Sequence, residues 1–110
     1  MAQDPYKHPV LEDVTLPEVL QALGDPVRLS ILHALTPGQE TAWSGFCVNM
    51  APSTLSHHMK VLRNAGLIAT RRDGTRCMVS LRLDLAGRFP GLLEAVLRLV
   101  SGGNVRGGGT

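Results

Sequence analysis

Eight polar side chains between residues 53 and 76 carry most of the chemistry this chain can offer: Ser53, Thr54, Ser56, His57, Lys60, Arg71, Arg72 and Arg76. Hydroxyls and an imidazole can donate or accept hydrogen bonds, whereas ammonium and guanidinium groups are fixed cations suited to phosphate oxygens. At about 100° per residue, Leu55, Met59 and Leu62 fall on one side of a helix over 53–65. Ser53, Thr54, Ser56, His57, Lys60 and Asn64 spread over the other side. Such a face can meet both phosphates and base edges. His58 lies about 60° from Leu55 on the same wheel, so a buried packing role suits it better than contact with a ligand on the polar face.

The elements that must hold these residues follow from local signals. Ser53 is a candidate N-cap and Gly66 a stop for the 53–65 helix. Residues 67–70 and 77–82 read as two strands joined through Asp73-Gly74, giving an arginine-rich wing over 68–82. A helix followed by a basic β-ribbon has the outline of a winged helix-turn-helix. Upstream, Leu16, Val19, Leu20 and Leu23 make the apolar stripe of a short helix that ends at Gly24. Asp25-Pro26 caps and starts a second helix with Val27, Ile31, Leu32 and Leu35 on one face, and Thr36-Pro37-Gly38 stops it. Between 39 and 52 there is room for a short helix at 41–48. A last helix over 90–100 carries Leu92, Leu93, Val96, Leu97 and Val100, a stripe too wide to leave in water. The expected fold is mostly α with a small β-hairpin (α+β): about five helices and a two-stranded antiparallel wing. Residues 1–14, with Pro5 and Pro9, read as a flexible arm, 15–100 as the folded domain, and the Gly-rich 101–110 as a disordered tail.

A chain of 110 residues, 44% of them hydrophobic, fits one small domain whose core is marginal alone, so burial at a subunit interface is expected. The net charge of +2 hides a strong asymmetry. Residues 1–40 hold Asp4, Glu12, Asp13, Glu18, Asp25 and Glu40 against Lys7 and Arg28; residues 54–82 hold Lys60, Arg63, Arg71, Arg72, Arg76 and Arg82 against Asp73. That is the expected footprint of a nucleic-acid face, although charge by itself leaves a solvated basic surface equally open. Cys47 and Cys77 are too few and too far apart for a disulfide scaffold or a zinc module. Without an apolar leader or a membrane-length apolar run, a cytoplasmic protein without membrane partners is expected.

Three stretches together resemble the ArsR/SmtB family of bacterial winged-helix transcriptional regulators: A-L-G-D-P-V-R-L-S-I-L-H-A-L at 22–35, S-T-L-S-H-H-M-K-V-L-R-N-A-G-L-I at 53–68, and R-R-D-G-T-R-C-M-V-S-L at 71–81. The similarity covers residues 16–100. It implies a homodimer whose first and last helices pack across a two-fold axis, with Leu16, Leu20, Leu92, Leu93, Val96, Leu97 and Val100 at the interface. It also implies that each 53–65 helix enters the major groove of an inverted-repeat operator in double-stranded DNA, half-sites about one turn apart. Ser53, Thr54, Ser56 and His57 then fall on DNA-facing positions, Lys60 toward the backbone, and Arg71, Arg72 and Arg76 on the wing, against phosphate or minor groove.

The chain departs from the family where effectors bind. A well-known metalloid site of the family is a Cys-x-Cys pair; here Gly45-Phe46-Cys47-Val48-Asn49-Met50 offers one thiol, and arsenite or cadmium needs two or three soft ligands. The last helix holds Glu94 and no histidine, so the family's other zinc or nickel site is also not expected. No metal site or cofactor is assigned. Cys47 and Cys77 remain candidates for a redox pair against the simpler reading of two small hydrophobes. His8 and His33 remain candidates for an unusual metal site, a lone histidine being more often packed. The effector stays open.

The function expected is a sequence-specific DNA-binding transcriptional regulator, a homodimeric repressor. The alternative is a winged-helix module for protein–protein contact, or a co-regulator with little sequence-specific DNA binding of its own. An enzyme is not expected: paired carboxylates, a phosphate loop and a nucleophile elbow are all missing from the sequence.

Overall fold

Local capping chemistry starts the first two helices of the computed structural model, which describes residues 6–46 and 50–101. Helix α1 (Leu16–Leu23) opens on a capping box: the Thr15 hydroxyl accepts from the Glu18 N–H, and the Glu18 carboxylate accepts from the Thr15 N–H at 3.0 Å. Helix α2 (Pro26–Ala34) opens on Asp25, whose Oδ1 accepts from the N–H of Val27 at 2.8 Å and of Arg28 at 3.1 Å. Proline in the first turn of each removes a donor that would have no helical partner.

The stretch after α2 differs from the expected 41–48 helix. Thr41–Ala42 forms a short strand β1, followed by a single 3-10 turn at Trp43–Gly45. Helix α3 (Pro52–Asn64) follows, then β2 (Ile68–Asp73) and β3 (Arg76–Leu81). β1 pairs antiparallel with β3, placing Thr41 opposite Val79 and Ala42 opposite Met78, so the sheet has three strands in the order β1-β3-β2 rather than two. The physical reason is non-local. A hairpin leaves one edge of β3 with unpaired backbone groups, and an extended pair of residues brought alongside satisfies them.

Two local expectations also shift. Ala51, not Ser53, is the N-cap of α3: its backbone is extended and Pro52 takes the first helical position, which puts Ser53 inside the first turn. The hairpin loop is Gly74-Thr75, since Asp73 still pairs with Arg76, and Gly74 takes φ +64°. The other end of α3 follows expectation. Gly66 adopts φ +76°, the Gly66 N–H donates to Arg63 and the Leu67 N–H to Leu62, closing the helix in a Schellman turn. The positive φ is what favours glycine there; a Cβ would also lie 3.0 Å from Leu11 Cδ2, so the leucine side chain would have to shift.

Beyond β3 come a four-residue helix α4 (Leu85–Arg88) and α5 (Leu92–Ser101), which starts two residues later than expected after Gly91 at φ +78°. The core joins Ile31 and Leu32 of α2, Met59 and Leu62 of α3, and Ile68 and Val79 of the sheet, all buried. α5 lies on α2. Leu92, Leu93, Val96 and Leu97 are therefore half-buried against the chain's own core.

Within the stretch expected to be a flexible arm, residues 6–14 make specific contacts. Val14 is buried. The His8 Nε2 accepts from the Thr70 N–H at 2.9 Å, and Arg82 donates to the Pro9 carbonyl at 2.9 Å. Arg88 donates to the carbonyls of Leu11 and Val14. β2 is an edge strand, and the imidazole takes the place of the missing neighbour at Thr70. The tail at 102–110 lies outside the described residues.

Candidate nucleic-acid interface

Helix α3 presents two chemically distinct sides. Leu55, Met59 and Leu62 are buried, while Ser53, Thr54, Ser56, His57, Lys60 and Asn64 are exposed. Because the start of α3 uses Ala51 and Pro52, no side chain caps it, and no hydrogen bond among the described residues engages the hydroxyls of Ser53, Thr54 or Ser56. They remain available to a ligand. His58 turns inward at 9% exposure, its Nδ1 3.2 Å from Arg28 Nη1. The packing role expected for it is what the geometry supplies.

The wing arginines Arg71, Arg72 and Arg76 are all exposed. They are not equivalent. Arg71 forms a two-point ion pair with Glu40, Nε to Oε2 and Nη2 to Oε1, each at 2.6 Å. The guanidinium holds the Glu40 carboxyl below its usual range, and the carboxylate in turn raises Arg71. Nothing between 36 and 40 in the sequence pointed to this partner, which arrives only because β1 runs beside β3. Arg82 is turned away from the wing, bound to Asp84 at 2.8 Å and to the Pro9 carbonyl.

Between α3 and the hairpin lies a cleft of about 600 Å³, lined by Ser56, Lys60, Arg63, Thr75, Arg76 and Cys77, with Tyr6 and Trp43 as aromatic walls. Among the described residues, three cations and no carboxylate line it. Arg63 was not singled out from the sequence, although its position three residues after Lys60 puts it on the adjoining strip of the helix. Its guanidinium sits 5.1 Å from the Tyr6 ring centroid, and Tyr6 stacks on Trp43 at 6.5 Å. The hydrogen bond with Cys77, together with burial, pushes the Tyr6 hydroxyl up; the nearby Arg72 opposes this. Cys77 is half-buried, and Cys47, its candidate redox partner, lies outside the described residues.

No group of three or more His, Cys, Asp or Glu side chains that could hold a metal occurs among the described residues. His8 is engaged with Thr70 in β2, whereas His33 lines a separate groove of about 690 Å³ between the ends of α2 and β3 and helices α4 and α5. No helix of the described residues is long and apolar enough to cross a membrane.

Residues 25–70, from the cap of α2 into β2, match the family model described as bacterial regulatory protein, arsR family. An HTH-type transcriptional regulator of Bacillus subtilis, YceK, is 38% identical over 89 residues, 77% of this chain and 89% of that protein. The chain belongs to the ArsR family. Other relatives of this ArsR-family regulator include the arsenical resistance operon repressor of Staphylococcus xylosus, 39% identical over 67 residues, 60% of this chain and 64% of that protein. The crystal structure of M. tuberculosis Rv0081 is 28% identical, covers 81% of this chain and 91% of that one, and superposes with a TM-score of 0.58.

The remaining candidate residues, those expected at a subunit interface, are apolar. Leu16 and Leu20 of α1 and Leu99 of α5 are exposed at 44%, 50% and 60%. Leu20, Val96, Leu99 and Val100 line one shallow hollow between α1, α2 and α5. Leu99 stands seven residues after Leu92, at the border of the stripe of Leu92, Leu93, Val96, Leu97 and Val100 expected at an interface.

Proposed function

We propose that this ArsR-family regulator is a homodimeric repressor that reads an inverted-repeat operator with α3 and holds the DNA backbone with its wing. The observation that carries the reading is the exposed face of Ser53, Thr54, Ser56, His57 and Lys60 beside a cleft whose cations, Lys60, Arg63 and Arg76, have no carboxylate beside them among the described residues. The hydroxyls and His57 supply donors and acceptors for base edges in the major groove. The cations supply the sequence-independent, salt-dependent part of the affinity, with Arg76 reaching phosphate, Arg72 beside the Tyr6 hydroxyl and Arg71 tied to Glu40. Leu16, Leu20 and the outer side of α5 form the dimer contact, which sets two α3 helices about 34–36 Å apart to meet successive major grooves. A dimer seated on promoter DNA represses by occupancy.

The test is binding of the purified protein to the DNA upstream of its own coding region, against a scrambled duplex, over a salt series. Affinity for the upstream DNA should exceed that for the scrambled duplex by about 10³ or more and fall steeply with salt. Equal, weak binding to both would instead support the protein–protein module. The signal that releases DNA is read by adding single metals and oxidants to the same titration.

A further inference from the structure

One half-buried charge plays no part in the proposed DNA contacts. Arg28, at the start of α2, spends its guanidinium on three acceptors from two other helices. Its Nε donates to the Ala22 carbonyl at 2.7 Å and its Nη2 to the Gln21 carbonyl at 3.1 Å, both in the last turn of α1. Its Nη1 lies 3.2 Å from Nδ1 of His58, in the middle of α3. Carbonyls at a helix C-terminus carry partial negative charge, so a cation is favoured there, and a planar fork can serve several acceptors at fixed angles. Arginine has no acceptor atom and stays charged. It must therefore donate to His58, which fixes the imidazole as the tautomer with Nδ1 bare and the proton on Nε2.

The connection has a direction. α1 carries Leu16 and Leu20, the exposed leucines assigned to the dimer contact. His58 is followed on α3 by buried Met59 and preceded by exposed His57, the assigned base reader, whose ring lies 6.0 Å from that of His58. We infer that Arg28 and His58 are a positioning pair: through them the end of α1 sets the rotation of α3, and hence where His57 and Ser56 meet the bases. This rests on the proposed DNA-reading function of α3. A helix free to rotate by a fraction of a turn keeps its phosphate contacts, which tolerate displacement, and loses the base-edge contacts, which do not.

The experiment measures binding of wild type, His58→Leu, His58→Asn and Arg28→Lys to operator and to random duplex, with nitrogen NMR of the His58 ring. Leucine fills the buried site without an acceptor; asparagine places an oxygen near the position of Nδ1; lysine keeps the charge and cannot span three acceptors. His58→Leu and Arg28→Lys should each lose about tenfold in operator affinity, equal to about 1.4 kcal/mol, with random-duplex affinity within about twofold of wild type. His58→Asn should recover most of the loss. In wild type, Nδ1 should be unprotonated and accepting, and its signal should shift in Arg28→Lys. Equal losses on both duplexes, tracking thermal stability, or an unchanged His58→Leu, would reduce the pair to a structural contact and overturn the inference. Should His58→Leu fail to fold, a proton on Nδ1 in the wild-type spectrum overturns it as well. If wild type itself does not discriminate operator from random duplex, it is the DNA-reading function that fails.

Discussion

At the scale of single residues, His57 and His58 show how adjacent identical side chains enter opposite surroundings. A helix turns about 100° per residue, so one imidazole is carried to the exposed side and the other against Arg28. His57→Ala should therefore cost base discrimination and little else. Operator affinity is expected to fall by about tenfold, as for the loss of one base-edge contact, with penalties for altered operator positions flattened. Light scattering should still report the same assembly. Unchanged selectivity in a panel of singly substituted operators would remove His57 from the reading set. The reach of His57 was legible from helical spacing alone; the partner of His58 was not, because Arg28 lies 30 positions away.

At the scale of elements, the wing is less free than its sequence suggests. β1 brings Glu40 to the base of the hairpin, and its pair with Arg71 leaves both side chains well exposed, 49% for Arg71 and 34% for Glu40. A pair so exposed is screened and adds little to stability. Its larger effect is on DNA, since it neutralises one wing cation. Glu40→Gln should raise low-salt affinity for any duplex by roughly two- to fivefold, the worth of an exposed ion pair. It should also steepen the slope of log affinity against log salt by about one. A fall in affinity would mean that Glu40 holds Arg71 in its working position. The acid dependence has a definite sign. Arg71 depresses the Glu40 pKa, so the pair is fully present above the ordinary value of 4.5 and is lost only as pH falls through the lower folded value. The third strand behind this arrangement could not be read from Thr41-Ala42, two residues without a period of their own; the free edge of β3 called it into place.

At the scale of the whole molecule, the apolar residues of α5 divide between two duties. Leu93 and Leu97 are half-buried on the chain's own core, so a charge there would damage the monomer and any dimer together. Leu99, at 60% exposure, and Leu20, at 50%, carry no such burden. Leu99→Asp, alone or with Leu20→Asp, should give a folded monomer by circular dichroism and light scattering. Operator affinity should drop by about 10² or more as the second half-site is lost. A Leu99→Asp protein that remains dimeric would exclude the outer side of α5 from the interface.

What the sequence determined by itself was local. The Asp25-Pro26 start of α2, the Gly66 stop of α3, the hydrophobic period that separates Leu55, Met59 and Leu62 from the exposed polar face, and the basic hairpin all follow from interactions within a few residues. Together they were enough for the winged helix-turn-helix outline; the ArsR family rested on the resemblance of the stretches 22–35, 53–68 and 71–81. The tertiary structure decided the rest: the strand at Thr41–Ala42, the pairing of Arg71 with Glu40, the docking of His8 on Thr70, the division of α5, and the reach of Arg28 to His58. Each depends on which free edge, carbonyl or cation lies opposite. Periodicity tells a residue which way to face and carries no information about what it will meet there.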